Sequence, residues 1–136
     1  MKKDKDKKKK REKRAAEPVL EEKTSSEEAE LSGGDEPLAF YFTVAGGKWK
    51  MRILWALRAG EPMRYGEIKS TVEGITDMML SQSLRELSEA GLVTRHQFQQ
   101  IPPRVEYGIT ESAKTLLPAI RQIHDWSAAR MKQTEK

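Results

Sequence analysis

The sequence lacks cysteine altogether, since none of its 136 residues is of that type. It can therefore form no disulfide, no thiolate metal site and no thiol switch, and a reducing cytosol is the simplest compartment. Long apolar runs are also missing, because the longest one, residues 38–47, is much shorter than the roughly 20 residues that a membrane-spanning helix needs. The basic start leads into acidic sequence rather than into the apolar stretch of a signal peptide. We therefore expect a soluble, cytoplasmic chain with no membrane partner.

Apolar and aromatic residues are scarce in the first 37 positions, which hold seven apolar residues and none of the nine aromatic ones. Charge is divided into blocks there: residues 1–14 carry a net charge of +7 and residues 15–37 a net charge of −7. Such a segment cannot bury enough apolar surface to offset its chain entropy. The sequence predicts a disordered charged tail over residues 1–36 and a folded domain over residues 37–136. The basic block either binds a polyanion such as nucleic acid or is solvated beside its acidic successor.

Three helices are predicted at the start of the domain. An apolar run over residues 38–45 precedes a glycine pair, which is a helix breaker. Apolar residues at four-residue spacing predict a second helix over residues 48–58, with a glycine shortly after it. A third, shorter helix is predicted over residues 65–72 and is followed by a turn.

The clearest helical pattern covers residues 76–90. Leu80, Leu84 and Leu87 form one apolar stripe, and Thr76 stands where an N-cap is expected. The outward side of this helix is either an ordinary solvated face or a surface that presents Gln, Ser and Arg to the edges of DNA bases. The residues opposite the stripe are Met78, Gln82, Arg85 and Glu89.

Two strands and a helix complete the pattern. Residues 92–97 and 104–109 are predicted to form a hairpin, because the second segment alternates apolar and polar residues and two prolines lie in the connection. A long helix is predicted to start at a Thr110 cap, with Pro118 bending its first turns. This order of elements predicts an α+β, mainly α fold: a winged helix-turn-helix with a two-stranded wing and a long C-terminal helix.

Several short motifs resemble those of the HxlR-type regulators, which are MarR-like winged-helix proteins. The resemblance covers about residues 37–127 and is specific only when the motifs are taken together. The matching segments are Gly-Gly-Lys-Trp at 46–49, Arg-Tyr-Gly-Glu-Ile at 64–68, Gly-Ile-Thr at 74–76, Leu-Ser-Gln-Ser-Leu-Arg-Glu-Leu at 80–87, Gly-Leu-Val at 91–93 and Pro-Pro-Arg-Val-Glu-Tyr at 102–107.

The resemblance implies a homodimeric transcription factor that binds double-stranded DNA at a pseudo-palindromic operator. It also implies that the first helix and the terminal helix make the contacts between the two copies. The terminal helix would then be a C-terminal dimerisation helix. Apolar side chains crowd both segments, although the two helices could instead pack on each other within one chain. The predicted interface residues are Phe40, Tyr41, Phe42, Val44, Ile120, Ile123 and Trp126.

The chain departs from the HxlR pattern at one functional position. Several members of that family sense oxidants through a cysteine just before the first helix, and here Glu36 precedes Pro37. Because the chain has no cysteine, the thiol-sensing mechanism cannot be transferred to it.

DNA contacts are predicted on the 76–90 helix and around it. Base-edge or adjacent backbone contacts are expected from Ser81, Gln82 and Arg85, with Met78 against a thymine methyl group. Four further cations either contact DNA phosphates or are simply solvated. Phosphate contacts set the register of the protein on DNA rather than its sequence preference. These cations are Lys48, Lys69, Arg95 and Arg104.

The remaining chemistry-bearing residues predict neither an enzyme nor a cofactor. His96 and His124 lack metal-ligand spacing, and no nucleophile triad or phosphate loop is present. Trp49, Trp55 and Tyr107 are expected in the core rather than in a ligand box. A small-molecule effector, unnamed by the sequence, could sit between the winged domain and the dimer helices.

Two functions compete at this point. The first is a sequence-specific dimeric regulator of transcription. The second is a winged-helix module for protein contact or for non-specific coating of nucleic acid, in which the basic tail supplies most of the affinity.

Overall fold

Six helices and three strands make up the part of the chain that the computed structural model describes, residues 32–134. The predicted tail over residues 1–36 falls almost wholly outside this range and stays a prediction. The described elements are α1 Glu36–Ala45, α2 Lys50–Ala56, β1 Met63–Arg64, α3 Tyr65–Thr71, α4 Asp77–Glu89, β2 Val93–Phe98, β3 Arg104–Ile109, α5 Glu111–Lys114 and α6 Leu117–Thr134.

Helix α4 has the N-cap and the buried stripe that its sequence predicts. The Thr76 side chain accepts a hydrogen bond from the backbone N–H of Met79 at 3.2 Å, which satisfies a donor left unpaired by the first turn. Leu80, Leu84 and Leu87 are all buried. The helix ends where Gly91, at a φ of 79°, takes the left-handed conformation that other residues rarely adopt. The apolar stripe of α4 is therefore fixed toward the core.

The core lies where α2, α3 and α4 meet. Ile53 and Leu54 of α2 and Ile68 of α3 are completely buried against the leucine stripe of α4. Three aromatic residues that the sequence assigned to the core, Trp49, Trp55 and Tyr107, are half-buried and pack against its edge.

The wing is part of a three-stranded antiparallel sheet, whereas the sequence predicted two strands. Strands β2 and β3 pair as the expected hairpin, from Val93 opposite Ile109 to Phe98 opposite Arg104. The extra strand β1 pairs with the other side of β3 and contains only two residues, too few to show a period. Because β3 is central, its six residues are all half-buried and do not show the predicted alternation.

The single helix predicted after Thr110 is divided into α5 and α6. Pro118 has no backbone N–H, and its ring would clash with the carbonyl group of Lys114 in a continuous helix. The chain instead closes a tight turn, in which the N–H of Leu116 bonds the carbonyl of Ala113 at 2.9 Å. Pro118 is then in the first turn of α6, where the missing N–H costs little. The Thr110 cap is present but caps the short α5.

None of the helices that the structure describes is long and apolar enough to cross a membrane. Over the same described residues, no cluster of His, Asp and Glu side chains is arranged as a metal site.

Candidate nucleic-acid interface

Hydrogen bonds between polar groups hold α3 and α4 together. The Tyr65 hydroxyl of α3 donates to Asp77 at the start of α4, with Oη 2.9 Å from the carboxylate Oδ1, and it lies 3.3 Å from the Ser81 hydroxyl. Arg52 of α2 donates to the backbone carbonyl of Glu73 in the turn between the two helices at 3.0 Å. Two helices held across a short turn in this way form a helix-turn-helix, whose second helix is α4.

The outward face of α4 carries all four of the residues predicted to contact bases. Met78 is 74% exposed, the highest value among the large apolar residues of this helix. Ser81, Gln82 and Arg85 are exposed on the same side, one and two turns further along. Because no other described element covers this face, α4 can enter a groove of its own width, such as the major groove of DNA.

An acidic residue that was not predicted from the sequence, Glu86, lies among these polar groups. Glu86 accepts a hydrogen bond from Gln82 Nε2 at 3.0 Å and pairs with Lys50 Nζ of α2 at 2.8 Å. The hydrogen bond from Lys50, followed by that from Gln82, holds the pKa of the Glu86 carboxyl below its ordinary value. The four-residue spacing of Gln82 and Glu86 was the available signal, whereas the contribution of Lys50 depends on the fold.

Three of the four predicted phosphate-contacting cations are exposed around α4. Lys48 is next to the side of α4 that bears Gln82, with its ammonium group 4.8 Å from the Trp49 ring centroid. Lys69 lies 3.5 Å from Asp77 at the start of the helix. Arg95 of β2 faces Arg85 and Ser81 across a groove of about 330 Å³ between α4 and the wing.

Arg104 is placed differently from the other three cations. Its guanidinium group stacks on the Phe98 ring at 4.0 Å, and its Nε lies 3.5 Å from a Glu106 carboxylate oxygen. The side chain is only 30% exposed. Arg104 thus links the two wing strands, and its predicted phosphate contact stays a prediction.

The predicted dimer residues divide into an exposed set and a covered set. Phe40 and Phe42 of α1 are 66% and 65% exposed, and Trp126 of α6 is 65% exposed. Ile123 is 48% exposed. Ile120 is a correction, because it is 3% exposed in the core beside α2 and has almost no surface left for a partner. Two further predicted residues, Tyr41 and Val44, are half-buried against the core of their own chain.

An apolar groove of about 340 Å³ separates α6 from α2 and α3. Its floor includes Met51 and Val72, and its rim carries Trp55, whose ring stacks on His124 at 4.8 Å between centroids. His124 is hydrogen-bonded to Asp125 at 2.9 Å, which lowers the pKa of that carboxyl. The groove therefore combines an apolar floor with an aromatic edge.

Comparison with known proteins gives a consistent match. Residues 44–135 match the family described as HxlR-like helix-turn-helix. The uncharacterized HTH-type transcriptional regulator BH0655 of Halalkalibacterium halodurans is 41% identical over 92 residues, which are 68% of this chain and 81% of that protein. The uncharacterized HTH-type transcriptional regulator YdzF of Bacillus subtilis is 40% identical over 93 residues, which are 68% of this chain and 85% of that protein.

Solved structures show the same fold. The redox regulator HypR in its reduced form superimposes with a TM-score of 0.67 at 36% identity, over 74% of this chain and 98% of that one. The similar proteins are transcriptional regulators and not enzymes, which confirms both the predicted winged fold and the predicted absence of an enzyme activity. On the extent of the family match and the identity to its relatives, this chain belongs to the HxlR-like helix-turn-helix family of transcriptional regulators.

Proposed function

We propose that this regulator acts in the cytoplasm as a homodimer, and that it binds a pseudo-palindromic operator through α4. The observation that carries the proposal is the uncovered face of α4, on which Met78, Ser81, Gln82 and Arg85 point outward together. Amide and guanidinium groups on one helix face can bond base edges, while the flanking Lys48 and Arg95 can bond phosphates. In a dimer, two such helices would read two half-sites about one turn of DNA apart.

The dimer is supported by the two helices that carry exposed rings. Helix α1 is apolar on nearly all sides: it buries Ala45 while Phe40 and Phe42 project to solvent on either flank. A helix of this kind is normally covered all round. In α6, Trp126 and Ile123 lie within about 60° of each other on one exposed face. A second copy of the chain would cover both surfaces by two-fold symmetry.

Two substitutions distinguish recognition of the DNA sequence from binding to the phosphate backbone. Gln82→Ala is expected to lower the preference for the selected operator over random duplex by about tenfold, since a bidentate base contact is worth about 1–3 kcal/mol. Lys48→Ala is expected to weaken operator and random duplex alike and to reduce the salt slope by about one unit. The measurement is fluorescence anisotropy with labelled duplexes between 50 and 200 mM salt, roughly the range over which phosphate contacts are resolved.

The operator for this experiment comes from selection of bound sequences out of a random DNA pool by the unmutated chain. The selected sequences should contain two inverted half-sites whose spacing fits one helical turn. If the unmutated protein binds a selected duplex and a random duplex equally well at moderate salt, it is not a sequence-specific regulator.

The alternative function, non-specific coating of nucleic acid, is favoured by one feature: the net charge of +7 in residues 1–14. Deleting residues 1–35, which precede α1, is expected to leave the affinity for the selected operator within about threefold while weakening the random duplex more. Anisotropy titrations of both duplexes provide the readout. Loss of nearly all binding to both duplexes on deletion would support the coating function instead.

A further inference from the structure

Three side chains from two helices form a chain of contacts beside the DNA-facing surface of α4. Lys50 Nζ lies 2.8 Å from one carboxylate oxygen of Glu86, and Gln82 Nε2 lies 3.0 Å from the other. The Lys50 side chain is only 13% exposed, so its ammonium group is held by the scaffold at the start of α2. Glu86 is thereby paired with a largely buried cation.

The chemistry of Glu86 determines how the Gln82 carboxamide is turned. An ionised carboxylate only accepts hydrogen bonds, so it must face the NH2 group of Gln82 and not its carbonyl oxygen. A glutamate carboxyl is ionised at neutral pH, and the pKa of Glu86 lies below its ordinary value because of the hydrogen bond from Lys50. Gln82 is left with one N–H and its carbonyl oxygen for a ligand. This donor–acceptor pair complements N7 and the N6 amino group of adenine in the major groove.

We propose that Glu86 is a positioning residue that fixes the orientation of Gln82, and that the protein consequently prefers adenine at the base pair facing Gln82. The inference rests on the proposed DNA-binding function and adds to it a base identity and the residue that sets it. Glu86 makes no contact with the base; it acts through Gln82.

The Glu86→Gln variant gives the sharpest test, because it should reverse the orientation of Gln82. Lys50 can only donate, so the new amide turns its oxygen to Lys50 and its NH2 group to Gln82. Gln82 must then accept with its carbonyl oxygen, and its own NH2 group is directed outward. Two outward donors complement the O6 and N7 acceptors of guanine. The variant is expected to enrich guanine over adenine at one position of each half-site, by about tenfold relative to the unmutated chain.

The experiment is selection from a random DNA pool with the unmutated full chain, Glu86→Gln and Glu89→Gln. Glu89 is an exposed residue of the same helix, so its substitution changes the charge equally without touching Gln82. The control should select the same bases as the unmutated chain. Both variants should bind random duplex at least as tightly as the unmutated chain, because each loses a negative charge near DNA. A general structural defect would weaken binding to every duplex instead.

A double substitution checks that Glu86 acts through Gln82. In a Gln82→Ala background, Glu86→Gln should leave the base preference unchanged, which is the non-additivity expected of coupled residues. If Glu86→Gln alone selects the same bases as the unmutated chain, the positioning inference is wrong while the regulator proposal stands. If the unmutated chain selects no sequence at all, the regulator proposal itself fails.

Discussion

A chain carrying both Phe40→Glu and Trp126→Glu is expected to sediment as a 15.5 kDa monomer under conditions in which the unmutated chain sediments at twice that mass. Both rings are about two-thirds exposed in the isolated chain. Complete burial of an aromatic side chain contributes about 1.5–3 kcal/mol. Because the dimer is two-fold symmetric, each substituted ring is lost from the interface twice. With two-thirds of each ring available for burial, the loss is at least about 4 kcal/mol, or roughly three orders of magnitude in the dimer dissociation constant.

The same variant should bind the selected operator at least about 100-fold more weakly, since two linked half-site contacts become independent ones. Analytical ultracentrifugation and anisotropy on the same samples measure both effects. Ala128→Glu is the matched control, because Ala128 is exposed on the side of α6 opposite Trp126. An unmutated chain that is monomeric at micromolar concentration, or a double variant that stays dimeric, would contradict the proposed interface.

Leu84→Ala is expected to lower the folding stability of the domain strongly. Leu84 is 2% exposed in the middle of the leucine stripe, and truncating such a side chain costs about 2–5 kcal/mol because a cavity remains. A domain of this size has a total unfolding free energy of about 5–15 kcal/mol. We therefore expect the thermal midpoint to fall by about 8 °C or more, at about 4–8 °C per kcal/mol.

Urea and thermal unfolding followed by circular dichroism measure this effect. Met78→Ala is the control on the same helix, and with 74% of Met78 exposed it should change the unfolding free energy by less than about 0.5 kcal/mol. Equal destabilisation by the two substitutions would mean that the two faces of α4 are not buried and exposed as described. Met78→Ala should nevertheless weaken operator binding if this side chain contacts a thymine methyl group.

Sequence periodicity predicted those parts of the fold that depend on one continuous pattern. The leucine stripe and the Thr76 cap defined α4 to within a residue, and the exposed positions of the residues predicted to contact bases followed from the same stripe. The two-residue strand β1 could not be predicted, because it has no period and exists through its pairing with β3.

The candidate interfaces could likewise be predicted only where one continuous sequence pattern defines them. Glu86 was missed because its role depends on Lys50, which lies 36 positions earlier in the chain and meets it only in the folded state. Ile120 was assigned to the dimer surface since helical spacing groups it with Ile123. Both residues lie in α6 about 60° apart, and only the side that bears Ile120 packs into the core, which the sequence could not show. The stacking of Arg104 on Phe98 could not be predicted, because the sequence does not show which side chains meet across the hairpin.

The exposed rings of α1 and α6 also bear on how the amount of this protein would control a promoter. If a pair of chains is the form that occupies the operator, mass action makes its concentration rise with the square of the chain concentration while monomers predominate. A twofold rise in synthesis would then give about a fourfold rise in the occupying species. The rings left uncovered on each single chain would thus convert a small change in expression into a steeper transcriptional response.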